Sequence, residues 1–209
     1  MSRLGKIARR SFLFGSAAIV GGVAFGYYAY KRPHPNPLLD DLAEGDAALT
    51  PYVLVTSEGI TLITPRADKG QGAYSLQAAL IAEELDVDLD QVQVDPGPPA
   101  PAYYNTAVAG EGVPFPSTDY GTTAEIVRGL AGAVTKFMGL QITGGSTTVP
   151  DGWEKRRIAG AVARETLKAA AADRTGVHVG DLKTERGAVI LPAGTRLPYT
   201  ELAPNAPGI

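Results

Sequence analysis

The chain contains Gly144-Gly145-Ser146-Thr147-Thr148-Val149-Pro150-Asp151-Gly152-Trp153, a glycine-rich turn with three hydroxyl side chains that leads into the alanine-rich segment 154–172. A turn without bulky side chains that leads into a helix N-terminus presents free backbone N–H groups, which suit a phosphate or another anion. A second such turn, Lys69-Gly70-Gln71-Gly72, precedes another predicted helix. The alternative is that these glycines only make turns and these hydroxyls only cap a helix.

The two turns also carry the polar groups that a cofactor rich in heteroatoms requires. Gly70 and Gly72 let the backbone approach a ligand closely, and the Gln71 amide is both a donor and an acceptor. Gly144 and Gly145 give the same access in the other turn. Together the turns predict a site for a phosphate-bearing cofactor that is held without covalent bonds.

Composition limits the classes of site that the chain can build. At 209 residues and 44% hydrophobic content, it can bury one moderate core. It contains no cysteine, which excludes disulfides, cysteine-ligated iron–sulfur clusters, covalent c-type haem and thiolate zinc sites within this chain. Its two histidines, His34 and His178, lie far apart in sequence, so no histidine-rich metal site is predicted.

Charge is distributed unevenly along the chain. Residues 1–32 contain six basic residues and no acidic ones, a net charge of +6, and the rest of the chain carries −9. Phosphate backbones are bound by clustered Lys and Arg, so an acidic body argues against a nucleic-acid partner.

The N-terminal segment has the pattern of an export signal. Arg9-Arg10-Ser11-Phe12-Leu13 is a twin-arginine motif, and the apolar run that follows ends at Lys31-Arg32. The stretch 12–30 is close to the ~20 residues that span a bilayer as a helix. Two interpretations stay open, a cleaved signal and an uncleaved membrane anchor, and the missing A-x-A cleavage site favours the anchor. Either one predicts a periplasmic protein exported by the twin-arginine route.

The rest of the chain predicts an α+β domain. A proline-rich linker covers 33–50, and the domain covers 51–209, after the signal or anchor at 1–32. β-rich runs and helical spacing of apolar residues define the elements. The predicted elements are a hairpin of strands 51–55 and 60–64, a helix at 73–85, a strand at 92–94, a long loop at 100–121, helices at 122–138 and 153–172, and a strand at 188–191.

Three details of these elements can be tested against a structure. Thr122 and Glu125 form a capping-box pattern, and Gly139 suits the end of the helix that they begin. The many alanines of 153–172 favour close packing against a neighbouring helix. The acidic run around residues 83–90 predicts a solvated helix end, since it lacks the central glycine and closing glutamate of a calcium loop.

Several short segments, taken in order, are similar to the molybdenum-cofactor-binding large subunit of the xanthine dehydrogenase and aldehyde oxidase family. The nearest type is the isoquinoline 1-oxidoreductase beta-subunit group, often described as aldehyde or isoquinoline dehydrogenases. Beyond the twin-arginine leader, the segments are Pro33–Leu38, Pro65–Gly72, Ala82–Asp88, Thr143–Thr148, Trp153–Ala161 and Arg196–Ala203. No G-x-S-x-G, H-E-x-x-H or P-loop element competes with this resemblance.

The resemblance implies which residues contact the cofactor, and it implies no catalytic or metal-ligating residue in this chain. Gly70, Gln71 and Gly72 match the turn that contacts the pterin. Gly145, Ser146 and Thr148 match positions that hydrogen-bond the pterin and phosphate region. The family usually has Glu-Met before the Gly-Gln-Gly turn, where this chain has Asp68-Lys69. A basic Lys69 either strengthens phosphate binding or marks a divergent site.

For the complete enzyme, the resemblance implies oxidation of an aldehyde or an N-heterocycle with water as the oxygen source. It implies a molybdenum–pterin cofactor in its cytosine dinucleotide form and an iron–sulfur small subunit that carries the clusters. A membrane cytochrome would be the next electron carrier. The family's glycine-rich Gly-Gly-Gly-Phe-Gly element and its glutamate base are not in this sequence. We therefore expect a truncated or split subunit that is inactive alone, and a scaffold that has lost cofactor binding is the alternative.

Overall fold

The computed structural model describes residue 22 and residues 24–206, and the chain divides into two units, Met1–His34 and Pro35–Ile209. In the first unit, residues 24–31 are helical. The twin-arginine motif and most of the apolar run lie outside the described residues. Among the helices of the described part of the chain, none is both long enough and apolar enough to cross a bilayer.

The second unit is built on a four-stranded sheet in the order β1-β2-β3-β4. Its strands are β1 (Ala47–Thr50), β2 (Val53–Val55), β3 (Ile60–Ile63) and β4 (Val92–Asp95). β2 and β3 pair antiparallel, which confirms the predicted hairpin, and β4 lies parallel to β3. A parallel pair needs a crossover connection, which here is the helix α1 (Ala73–Leu85), with the predicted bounds.

The strand β1 extends the hairpin into the segment that the sequence assigns to a linker. It pairs antiparallel with β2, and all four of its residues are buried. The Asn36 side chain donates to the Ala48 carbonyl at 3.1 Å and ties the preceding proline-rich segment to the strand. A four-residue strand that begins with two alanines has neither alternation nor strong β-propensity, so the sequence carries no signal for it.

The longest helix, α4 (Thr148–Thr175), lies against α1. At the crossing a Cβ on Gly160 would lie 2.3 Å from the Ile81 carbonyl oxygen, so only glycine allows this separation. Buried alanines on the same face, among them Ala163, complete the contact. The close packing predicted from the alanine-rich sequence is confirmed. The helix begins five residues earlier than predicted, because Pro150 is compatible with a first helical turn.

Two further helices, α2 (Ala107–Gly110) and α3 (Thr122–Met138), pack against each other. The bounds of α3 and its end at Gly139, with φ of 62°, are as predicted. The predicted capping box is wrong. The N-cap is Gly121, which has no side chain, and Glu125 instead forms an ion pair with Arg128.

A second sheet, β5 (Lys183–Glu185), β6 (Ala188–Ile190) and β7 (Arg196–Pro198), is an antiparallel meander followed by α5 (Tyr199–Leu202). The buried hydroxyl of Tyr199, the first residue of α5, donates at 2.9 Å to the carbonyl of Leu85, at the C-terminal end of α1. The strand predicted at 188–191 is confirmed as β6, while β5 and β7 are three residues long and carry no periodic signal.

Short 3₁₀ segments complete the described chain, and they lie at Pro37–Leu39, Leu89–Gln91, Pro101–Tyr103, Val179–Asp181 and Ala203–Asn205. The acidic run near the end of α1 is more structured than a solvated helix end. Glu84 pairs with Arg157, and Asp88 pairs with Arg186 at 2.7 Å. The predicted mixture of helices and sheets is confirmed, as a mixed α/β architecture with one parallel strand pair.

Candidate functional site

The first turn, residues 68–72, folds around the carboxylate of Asp68. One oxygen of this group accepts from the Gly70 N–H at 2.8 Å, and the other accepts from the Tyr74 N–H at 2.9 Å. The hydrogen bond from Tyr74, followed by that from Gly70, holds the pKa of Asp68 below its ordinary value. The chain's own anion therefore already lies at the N-terminus of α1, where an unoccupied helix end would attract a phosphate.

Gln71 also bonds within the first turn. Its amide nitrogen donates to the Ala67 carbonyl at 2.8 Å, and its amide oxygen accepts from the Lys69 N–H at 2.6 Å. Gly70 and Gly72 have φ of 97° and 76°, in the left-handed region that favours glycine. No atom lies within 4 Å of a Cβ placed on Gly70, so the backbone there is open to a ligand.

The second turn, residues 143–147, is exposed except for its last residue. Gly145 and Ser146 both adopt positive φ, of 58° and 54°, and both are exposed. Thr147 is buried, and its hydroxyl donates to the Gly144 carbonyl at 2.7 Å. The Asn105 side chain donates to that same hydroxyl at 2.8 Å. The buried side of the turn is therefore held in place by Thr147, and residues 143–146 remain exposed to solvent.

The helix α4 begins directly after this turn, without a side-chain cap. Thr147 is its N-cap residue, yet its hydroxyl makes no capping hydrogen bond. The N–H groups of Thr148 and Val149 lie in the first turn, where an α-helix supplies no internal partner for them. Pro150 has no N–H. This helix end has the donors that the sequence predicts for an anion, with the half-buried Thr148 among them.

The two turns lie side by side. The Ala67 N–H, just before the first turn, donates at 3.0 Å to the hydroxyl of Thr143, the first residue of the second turn. Two residues earlier in each segment, the Gln141 amide donates to the Pro65 carbonyl at 3.1 Å. Two hydrogen bonds therefore join the starts of two turns that are 76 residues apart in sequence. The structure brings together the two turns that the sequence singles out.

The helices that follow the turns run in the same direction. Arg66, which precedes the first turn, contacts Asp151 in the first turn of α4, and Gln77, in α1, contacts Arg156, five residues further along α4. The Glu84 carbonyl, near the end of α1, accepts from Arg164. Because the contacts advance along both helices together, the helices are parallel and both N-termini lie at one end. Each N-terminus carries the equivalent of about half a positive charge.

A buried ion pair lies beneath the turns. Arg66 is 1% exposed, and its guanidinium donates to the Asp151 carboxylate at 2.8 Å and to the Tyr103 carbonyl at 2.8 Å. The other Asp151 oxygen accepts from the Thr106 N–H at 2.8 Å and from the Lys155 ammonium at 2.6 Å. This network links the first turn to the start of α4.

The pKa values of two members of the network lie below their ordinary values, for different reasons. Burial alone would raise the pKa of Asp151, but the charge and hydrogen bond of Lys155, with the hydrogen bond from Arg66, together hold that pKa below its ordinary value. For Lys155, burial outweighs the attraction of Asp151, and the pKa falls to about 8. The charges of Arg66 and Arg156 also lower the pKa of Lys155. Lys155 also lies 3.9 Å from the centre of the Tyr104 ring.

Arg156 is the second fully buried arginine, and it has no carboxylate partner among the described residues. It donates to the Gln77 amide oxygen, and its guanidinium lies 5.4 Å from the centre of the Tyr52 ring. Its Nε and Nη1 atoms are buried without a hydrogen-bond partner in the described part of the chain. A Cβ on Gly152 would lie 2.1 Å from Nη1, so glycine at that position makes room for the guanidinium.

The sequence interpretation missed this buried network. Its signal was present in the helical spacing: Arg156, Ala159, Ala163 and Leu167 lie on one face of α4 and are all buried. A charged residue on the apolar face of a helix indicates a buried polar contact. The partner Asp151 could not be assigned in this way, because its contact joins residues 85 positions apart.

The predicted cofactor residues are now placed. Gly70, Gly145 and Ser146 lie on exposed backbone of the two adjacent turns, Gly72 is half-buried at the start of α1, and the half-buried Thr148 starts α4. Gln71 lies in the same site, but its amide bonds within the turn. Contact of these six residues with a cofactor stays a prediction.

The sequence of the chain was compared with those of known proteins. No protein-family model matches the chain. The chain is similar to isoquinoline 1-oxidoreductase subunit beta from Brevundimonas diminuta, with 29% identity over 191 residues, which cover 88% of this chain and 20% of that protein. The chain thus spans about a fifth of the length of the curated relative that it matches. Over most of its length, then, this chain is similar to a subunit of an oxidoreductase.

Proposed function

We propose that the chain is the N-terminal, cofactor-binding portion of a molybdenum-dependent oxidoreductase large subunit, and that it is inactive by itself. The main support for the proposal is that two hydrogen bonds join the starts of the two turns, which precede the N-termini of two parallel helices. The similarity to an isoquinoline 1-oxidoreductase subunit supports the choice of enzyme class.

The residues at the turns fit a pterin that carries phosphate groups. Ser146 and Thr148 offer hydroxyls, and the start of α4 offers N–H groups to a phosphate. Gly70 lets a flat, polar ring approach the backbone, since nothing lies within 4 Å of a Cβ placed there, whereas a Cβ on Gly72 or Gly145 would contact the side chain of Ser75 or Glu111. When bound, the molybdenum–pterin group supplies the oxidation of a substrate carbon, and this chain's residues hold and orient it.

The complete enzyme needs parts that this sequence does not contain. They are the rest of the large subunit, an iron–sulfur small subunit and a membrane cytochrome as electron acceptor. The cofactor would be the cytosine dinucleotide form, and one of its phosphates would bind at the N-terminus of α4, because the Asp68 carboxylate already lies at the N-terminus of α1. The substrate class is aldehydes or N-heterocycles. Export through the twin-arginine route, with a cleaved signal or an anchor at 1–32, would place the folded complex in the periplasm.

A pair of charge substitutions tests the proposal. Ser146→Asp places an anion at the exposed second turn, where it would repel a phosphate, and aspartate tolerates the positive φ at this position. Ser57→Asp places the same charge in the exposed turn between β2 and β3. In the assembled complex purified from the native host, we expect Ser146→Asp to lose most of its molybdenum, measured by mass spectrometry, and Ser57→Asp to keep it. Equal molybdenum content in the two variants would refute the assignment of the site.

A scaffold without cofactor binding is the second candidate, and one observation favours it. The Asp68 carboxylate accepts from two N–H groups at the start of α1, and the Gln71 amide is used within the first turn. If the scaffold is correct, the assembled wild-type complex contains no molybdenum, and Gln71→Ala and Ser146→Asp leave its composition unchanged.

A further inference from the structure

The outward face of α3 is apolar. Five large side chains on it are between 56% and 77% exposed. These residues, which we call the α3 apolar face, are Ile126, Leu130, Val134, Phe137 and Met138. Their spacing of three to four residues places them on one side of the helix. An exposed contiguous apolar surface of this kind marks a place where another surface binds.

The orientation of α3 follows from the residues on its opposite side. Ala124, Gly132 and Thr135 are buried there, and all three are small. A Cβ on Gly132 would lie 3.2 Å from the Thr106 carbonyl oxygen, so the helix lies close to the backbone beside it. The Thr135 hydroxyl donates within the helix to the Gly132 carbonyl at 2.8 Å. Because the small side already packs against the domain, the large apolar side is left without a partner in the described part of the chain.

The length of the relative indicates what could cover the α3 apolar face. About four-fifths of isoquinoline 1-oxidoreductase subunit beta has no counterpart in this chain. An apolar helix face in one fifth of a large subunit is covered when the rest of that subunit packs against it. The α3 apolar face has no charged residue, whereas residues 33–209 together carry a net charge of −9. This negative charge would repel an anionic membrane surface and a second copy of the chain, so neither is favoured as the partner.

The α3 apolar face also continues in sequence toward the candidate site. Phe137 and Met138 end the helix, and the next exposed large apolar residue is Ile142, at 37% exposure. Thr143 then begins the second turn and accepts the hydrogen bond from Ala67. A polypeptide that covers the face would therefore reach the second turn.

We propose that the α3 apolar face is the docking surface for the rest of the large subunit, the part that corresponds to the unmatched four-fifths of the relative. This inference rests on the proposed function, since it takes the chain to be a portion of such a subunit. Docking there places the missing elements beside the second turn and closes the cofactor site. Five residues are fewer than the roughly 20–30 that each side of a stable interface uses, so the face is the centre of a larger contact.

Site-specific photocrosslinking in the native host tests this inference. p-Benzoylphenylalanine is placed at position 130, and at position 89 as the control, where Leu89 is a similarly exposed leucine (49% exposed) away from α3. We expect crosslinks from position 130 to peptides that align with the unmatched part of the relative, whether that part is on the same or on a separate polypeptide. Crosslinks to a second copy, crosslinks to lipid, or none at all would overturn the inference.

A second pair of variants keeps the test independent of the crosslinker. Leu130→Asp should lower the fraction of chain in the assembled complex roughly tenfold or more, whereas Leu89→Asp should leave it unchanged. Because the substitution is on the surface, circular dichroism should show an unchanged fold. A complex that assembles through position 130 but lacks molybdenum would refute only the proposed function. Full assembly of Leu130→Asp with molybdenum bound would refute only the docking surface.

Discussion

Arg66 and Asp151 connect the candidate site to the core at the scale of single residues. Arg66 lies immediately before the first turn, and Asp151 lies in the first turn of α4, so their ion pair at 2.8 Å holds the two turn-and-helix units together. Both side chains are almost fully buried. A buried pair of this kind contributes to specificity of the arrangement, and loss of one partner leaves a buried charge without compensation.

We expect Asp151→Asn to lower the free energy of unfolding by about 3–5 kcal/mol, because it leaves the buried Arg66 and the half-buried Lys155 without their counter-charge. The control is Glu165→Gln, which removes a half-exposed carboxylate in the same helix, and it should cost about 0–1 kcal/mol. Urea denaturation measures both. A loss of under about 1 kcal/mol for Asp151→Asn would contradict the description of the network.

Asp151 also predicts how stability depends on pH. Its pKa in the folded state is below the ordinary value of 3.8, so its contribution is fully present above that pH and is lost as pH falls through the folded-state pKa. We expect the wild-type protein to lose stability more steeply than Asp151→Asn below about pH 4. Urea denaturation at a series of pH values checks this, and parallel curves for the two proteins would count against it.

Arg156 should behave differently from Arg66. Its Nε and Nη1 atoms have no hydrogen-bond partner in the described residues, so replacing it with an apolar side chain of similar length removes little and relieves a buried charge. We expect Arg156→Met to change the free energy of unfolding by less than about 1 kcal/mol, or to raise it. Arg66→Met should lower the free energy of unfolding by about 3–5 kcal/mol, because it removes the buried ion-pair partner of Asp151. Equal losses in thermal or urea denaturation would show that Arg156 has an unrecognised partner.

At this scale the sequence predicts the backbone of the site better than its side-chain contacts. Gly70, Gly72 and Gly145 adopt the positive φ that glycine permits, whereas nothing in the residue type indicates the positive φ of Ser146. The role of Asp68 does not follow, because a carboxylate beside a helix N-terminus can point to solvent or bond to the helix, and only the folded turn decides between them.

At the scale of elements, the close approach of α1 and α4 depends on one glycine. Gly160→Ala would place its Cβ 2.3 Å from the Ile81 carbonyl oxygen, so the helices must separate. We expect a loss of about 1–3 kcal/mol. Gly129→Ala is the control, since nothing lies within 4 Å of a Cβ at that position in α3, and it should stabilise the protein by about 0.5–1 kcal/mol. Thermal denaturation of the two variants should shift in opposite directions, and a shift in the same direction would contradict this packing.

The elements that the sequence predicts are those with a strong local pattern. α1, α3 and the hairpin of β2 and β3 have apolar spacing or β-rich runs bounded by turn residues, and their bounds are close to those predicted. β1, β5 and β7 have three or four residues each and are defined by pairing with strands elsewhere in the chain. The capping box of α3 failed because Gly121 takes the N-cap position one residue before Thr122.

At the scale of the whole molecule, the second unit has two distinct ends. The two turns lie at the N-terminal end of the parallel helices α1 and α4, and the small sheet attaches at the C-terminal end of α1 through Tyr199. One end is thus built from open, glycine-rich backbone with helix N–H groups, and the other from ordinary sheet packing. The proposed cofactor site and the small sheet are therefore at opposite ends of α1.

The proposed cofactor is tested most directly by the metal content of the native assembly. The chain, tagged at its C-terminus, is purified with its partners from its native host, and molybdenum and pterin are measured by mass spectrometry against the amount of chain. The proposal predicts molybdenum and a pterin cytosine dinucleotide in amounts equal to that of the chain. An intact assembly that contains neither would contradict it.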